Sequence, residues 1–106
     1  MKNRFGLLDV DIEIIMQILR KNPKVERAYI FGSRAKGNFI NGSDVDIALK
    51  GTDLDFDTIS QVSYWLNEET SMPYKFDILI YDDLKEPTLQ EHIDRVGIEF
   101  YSRLQI

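Results

Sequence analysis

FGSRAKGNFINGSDVDI, Phe31 to Ile47, holds a Gly-Ser pair at Gly32-Ser33, the ten residues Arg34 to Ser43, and the triplet Asp44-Val45-Asp46. The apolar run Ala28 to Phe31 leads into the pair, and a second run, Val45 to Leu49, follows the acids. Both have the composition of strands, and Asn41-Gly42 between them is a strong turn signal. The connection is too short for a crossover carrying a full helix, so the two strands are expected to run antiparallel. By itself a hairpin explains this layout, with the acids facing solvent. It does not explain why a Gly-Ser pair and two carboxylates are brought together by the turn.

That juxtaposition has a chemical reading. Gly32 allows a close approach of backbone to ligand, and free N–H groups with the Ser33 hydroxyl can donate to phosphate oxygens. Residues two apart on a strand share a face, so Asp44 and Asp46 project side by side. Paired carboxylates suit hard cations such as Mg2+, which completes its shell with water and substrate phosphates. Phosphate donors beside a carboxylate pair point to a nucleotide.

Asp-x-Asp alone carries little information in this chain. Asp9-Val10-Asp11, Asp53-Leu54-Asp55 and Asp55-Phe56-Asp57 repeat it, each before or at the start of a predicted helix, where acids oppose the positive dipole end. Only Asp44-Val45-Asp46 stands on a strand after a Gly-Ser turn. A third acid, Asp77, interrupts the apolar strand Lys75 to Tyr81. A mid-strand charge is costly to bury unpaired. Either Asp77 pairs with Lys75 or Arg34 at a sheet edge, or its strand lies beside Asp44 and Asp46 and contributes to one cation site.

Further out, Ile12, Ile15, Ile18 and Leu19 recur at helical spacing, predicting a first helix from Asp9 that ends near Asn22-Pro23. A second helix, about Asp55 to Asn67, sets Ile59, Val62 and Leu66 on one face with Trp65 beside them, a core stripe. Thr88-Leu89-Gln90-Glu91 matches a capping box, and Leu89, Ile93, Val96, Phe100 and Leu104 predict a final amphipathic helix. Tyr101 is read as core in preference to an exposed contact. The expected architecture is α+β or α/β, a small mixed sheet packed with helices, in one domain over residues 1–106.

Composition narrows the function classes. No cysteine means no disulfide, thiolate metal site or thiol nucleophile, and the single histidine, His92, cannot build a histidine cluster and is read as a surface or packing residue. A net charge of -5 opposes sequence-independent binding to long nucleic acid. Arg34 and Lys36 nevertheless place positive charge inside the proposed phosphate loop, unless they are merely solvated. No membrane-spanning run or secretory leader is read, and a cytoplasmic setting is expected.

From Tyr29 to Tyr81 the pattern GSRAKGNFINGSDVDIAL with a later strand aspartate resembles the DNA polymerase beta nucleotidyltransferase superfamily. The short chain is similar to its minimal nucleotidyltransferases, antitoxins that accompany helical HEPN-type toxins. Lys36 departs from the arginine many members carry, keeping the charge but losing the bidentate fork. The resemblance implies a polymerase beta palm-like fold and two divalent ions, Mg2+ or Mn2+, on Asp44, Asp46 and Asp77. It also implies a nucleoside triphosphate such as ATP on Gly32, Ser33, Arg34, Lys36 and Ser43.

The implied reaction moves AMP to a hydroxyl of the partner toxin, with Asp77 assisting removal of the proton. A small single sheet has little room to enclose a second substrate, which agrees with an acceptor presented from outside. Two other readings stand beside this one: a binding module that silences its partner by occlusion with the site idle, and transfer to a small molecule such as an aminoglycoside. A glycosyltransferase using Asp-x-Asp is weaker, since the chain is short for its nucleotide-binding sheet. Self-association is left open by the sequence.

Overall fold

A computed structural model describes residues 3–40 and 42–103. Helix α1, Asp9–Arg20, begins with Asp9 and Asp11 in its first turn, and the Asp11 carboxylate accepts from Leu8 N–H at 3.1 Å. Its stripe of Ile15, Ile18 and Leu19 is buried. Strand β1, Arg27–Phe31, feeds directly into the short helix α2, Gly32–Lys36, which Gly37 ends in the left-handed conformation at φ 86°. Strand β2, Val45–Lys50, returns antiparallel to β1, as the short connection requires. Asn41 of the expected turn lies outside the described residues; Gly42 has φ 90°.

Helix α3, Phe56–Glu68, is capped by Asp55, whose carboxylate accepts from both the N–H and the hydroxyl of Thr58 at 2.9 Å. Those bonds hold the Asp55 carboxyl below the usual carboxylate range. Thus the competing Asp-x-Asp occurrences are accounted for by helix starts. Helix α3 crosses over so that strand β3, Phe76–Ile80, pairs parallel with β2, putting Asp77 directly opposite Asp46. A 3-10 turn, Tyr81–Asp83, leads to helix α4, Pro87–Val96.

The C-terminal expectation is corrected. Helix α4 starts with Glu86 at the cap and Pro87 inside the first turn, with no side-chain cap from Thr88. Proline prefers that first position because the missing N–H has no helical partner there. The helix ends at Val96, and Ile98–Ser102 forms strand β4, antiparallel to β1. The order is therefore β3-β2-β1-β4, a mixed four-stranded sheet. Leu104, assigned from its spacing to the final helix, lies outside the described residues.

The sheet separates two apolar layers. Ile30, Val45, Ile47, Leu49 and Phe76 pack with α1 and α3, and Tyr101 from β4 joins them, so its core assignment holds. Phe31 and Ala48 on the opposite face meet Ile93 of α4. Alternation along β2 sends Val45, Ile47 and Leu49 to the first layer, leaving Asp46 on the face that α4 covers only in part. Among the described residues no helix is long and apolar enough to cross a membrane.

Candidate active site

Gly32 sits where β1 turns into α2, with φ 73°, a conformation that disfavours side chains. A Cβ at this position would collide with the Asp46 carboxylate. The glycine is thus needed for the approach of the second acid of the motif, a reason closer to home than contact with a ligand. Phe31, immediately before it, stands opposite Asp46 across the β1–β2 ladder. Ser33 is half-buried, and its carbonyl accepts from Gly37 and Asn38 N–H, which closes the single turn of α2.

Asp44 and Asp46 are half-buried and Asp77 is exposed on the edge strand. Parallel register aligns Asp77 with Asp46, one strand spacing away, roughly 4.8 Å between backbones. The Asp46 carboxyl is pushed up to about 6, first by burial, then by the charges of Asp77 and Asp44. The three acids therefore form one electrostatic cluster centred on Asp46. Exposure of Asp77 removes the burial cost anticipated for it, and among the described residues neither Lys75 nor Arg34 makes an ion pair with it.

An oxygen-only donor set with repelling charges and, among the described residues, no ion pair to a cationic side chain has the chemistry of a hard-cation site. Among the described residues, however, the acids do not stand as a closed three-ligand group. The fit is to an ion that keeps water and takes phosphate oxygens, as Mg2+ does, and not to a preformed all-protein cage.

Arg34 departs from its expected place. Its side chain is 3% exposed, with Nε and Nη2 donating to the Ser43 carbonyl at 3.2 and 2.8 Å and Nη1 to the Phe5 carbonyl at 2.8 Å. The rings of Phe39 and Tyr74 lie 5.2 and 5.1 Å from its guanidinium carbon. It is not a solvated charge: its guanidinium is buried and donates to backbone carbonyls. Lys36 is the exposed cation of the loop. Ser43 closes that loop: its hydroxyl accepts from Ile40 N–H at 3.0 Å.

Two supporting residues escaped the sequence reading. His92 Nε2 accepts from Gly32 N–H at 3.2 Å, with its ring edge-on to Phe31 at 6.2 Å between centroids. Only its place on the apolar side of α4, next to Ile93, hinted at a contact with the sheet. Asn67 donates to the Phe76 carbonyl at 3.1 Å and accepts from Phe76 N–H at 2.8 Å. It thereby acts as a strand partner at the start of β3 and holds the residue before Asp77.

Comparison with known proteins bears on this arrangement. The family model described as polymerase beta, nucleotidyltransferase matches residues 13–106. A crystal structure of a toxin-antitoxin with AMP-PNP superimposes with a TM-score of 0.73 at 25% identity, covering 92% of this chain and 77% of that one. A mutant of the toxin-antitoxin MntA-HpeT gives 0.69 at 22% identity, covering 89% and 75%. A Sulfolobus solfataricus protein described as a nucleotidyltransferase gives 0.58 at 22% identity, covering 96% and 86%. No curated protein matches the sequence.

Proposed function

The chain belongs to the polymerase beta nucleotidyltransferase family, and we propose that it moves AMP from ATP to a hydroxyl of a partner protein, as antitoxin to a HEPN-type helical toxin. The observation that carries nucleotidyl transfer is the Asp44, Asp46 and Asp77 cluster set against the Gly32-Ser33 turn, with the Asp46 carboxyl raised by burial and then by the charges of Asp77 and Asp44. The adenosine nucleotide and the partner are supported by likeness to the toxin-antitoxin crystallised with AMP-PNP, an ATP analogue.

In this reading the acceptor oxygen bonds to the α-phosphorus as the bond to the bridging oxygen breaks, and pyrophosphate leaves. Ser33 N–H and hydroxyl hold the triphosphate, Ser43 donates its hydroxyl hydrogen, and exposed Lys36 offsets charge on the leaving pyrophosphate. Asp77 takes the proton of the acceptor hydroxyl. Asp44, Asp46 and Asp77 would hold two divalent ions, Mg2+ or Mn2+, which when bound would stabilise charge on the attacking and leaving oxygens. No covalent enzyme intermediate is required; positioning and electrostatics do the chemistry.

The test is to incubate the chain with its adjacent-gene product, each nucleoside triphosphate and Mg2+, and to weigh both proteins. AMP added to the partner, and absent with an Asp44→Asn, Asp46→Asn double variant, is the expected result. If that folded variant silences the partner as well as the parent does, occlusion replaces catalysis.

A further inference from the structure

Gly-Ser and Asp-x-Asp are separated by a loop, and something must hold their spacing. Arg34 directly follows Ser33, and Ser43 directly precedes Asp44. Two N–H groups of the Arg34 guanidinium converge on the Ser43 carbonyl, and a third goes to the Phe5 carbonyl. We infer that Arg34 is a positioning residue for the proposed transfer, fixing the Asp44 end of the site against Ser33. The inference rests on the nucleotidyl-transfer reading for its functional consequence, though not for the clamp itself.

The same side chain reaches the third acid. Tyr74, whose ring centre lies 5.1 Å from the guanidinium carbon, leads through Lys75 and Phe76 to Asp77, and its hydroxyl donates to Asp11 at 3.0 Å. Segments carrying Ser33, Asp44 and Asp77 therefore all meet at one buried cation. A charge so enclosed is tolerated because carbonyl oxygens and ring faces surround it. Gly6, at φ 73°, makes room: a Cβ there would strike the Phe39 ring and lie 3.0 Å from Arg34 Nη1.

Lysine could not replace this arrangement. A lysine ammonium carries its three donors on one atom and lacks the wide planar fork that here spans the Ser43 and Phe5 carbonyls. The effect on a bound divalent ion should resemble the loss of an outer partner of a metal ligand, about tenfold or more in affinity.

Arg34→Lys and Arg34→Met are compared with the parent chain by amide exchange and by Mn2+ binding, read from the electron paramagnetic resonance of free Mn2+, in the presence of a non-hydrolysable ATP analogue. Expected are faster exchange over residues 38–46 with α3 still protected, and Mn2+ affinity lowered about tenfold in both variants. A folded variant with the exchange and Mn2+ affinity of the parent overturns the inference, as does rescue by lysine. Failure of the parent itself to bind Mn2+ with the analogue sinks the nucleotidyl-transfer reading, while the exchange arm still decides the clamp. If neither variant folds, the Arg34 Nε–H signal of the parent decides: slow exchange with a hydrogen-bond coupling to the Ser43 carbonyl supports the clamp, and a rapidly exchanging, averaged guanidinium overturns it.

Discussion

Gly32 and Asp46 share one space: the hydrogen of the glycine stands where any Cβ would meet the aspartate carboxylate. Gly32→Ala combines that collision with a left-handed backbone, so a loss of roughly 1–3 kcal/mol is expected. Urea unfolding measures it. Transfer activity should fall further than the folded fraction, because the collision pushes on an acid of the site.

The raised Asp46 carboxyl gives stability a definite pH sign. The folded chain holds this proton more tightly than the unfolded chain, so the contribution is complete below the ordinary value of 3.8 and is lost as pH rises through about 6. Asp46→Asn should therefore raise the melting temperature of the ligand-free chain at about pH 7.5, with a smaller gain near pH 4.5. A gain of equal size at both pH values would falsify the assignment.

Mg2+ should show a related gradient, since protons and cations compete for the same oxygens. Melting in the presence and absence of Mg2+ should reveal greater stabilisation at about pH 7.5 than at about pH 5, a difference that Asp46→Asn diminishes. Removal of the ion by a chelator should abolish transfer.

Asp77 is exposed on an edge strand, so Asp77→Asn should leave stability within about 0.5 kcal/mol of the parent. Transfer should drop by about a hundredfold or more, the scale of losing a positioned acid–base group. Kinetics on the partner protein, with circular dichroism melts beside them, separate the two effects.

His92→Leu removes the acceptor from Gly32 N–H, at a cost of about 1–3 kcal/mol if the donor stays dry. His92→Gln keeps an acceptor and should recover most of that loss. Equal melting temperatures for both variants would show that packing against Phe31, and not the hydrogen bond, is what His92 supplies.

How far the sequence reached can be judged at particular residues. Asp46 and Asp77 are legible because strand periodicity and the apolar runs around them limit where each carboxylate can point, and the observed register aligns the two, while Asp44 stands one residue before β2. The burial of Arg34 is not legible in the sequence, where a loop arginine next to a Gly-Ser pair fits a phosphate contact and a solvated charge alike. Its carbonyl partners on Ser43 and Phe5 exist only after tertiary folding.

Strand β4 was missed for a different reason. Ile93, Val96 and Phe100 satisfy a helical period across Gly97, while Ile98 and Phe100 equally satisfy a strand period beyond it. Gly97 closes α4, its N–H bonding to the Ile93 carbonyl at 2.7 Å, and lies where a Cβ would strike that carbonyl. The open edge of β1 then receives the remaining residues. Pairing demand of this kind is invisible to local periodicity.

Among the described residues strand β3 has a strand neighbour on one side only. The ladder that brings Asp77 beside Asp46 can therefore open without breaking the β1–β2 pairing, while Asn67 of α3 holds the other edge of β3 at Phe76. An ion joining the two acids would be a bolt across this seam, so cation loading and the closing of the last parallel ladder become the same event. A chain whose β3 has come away should keep its hairpin and lose its grip on metal, making cation release an early signal of unfolding.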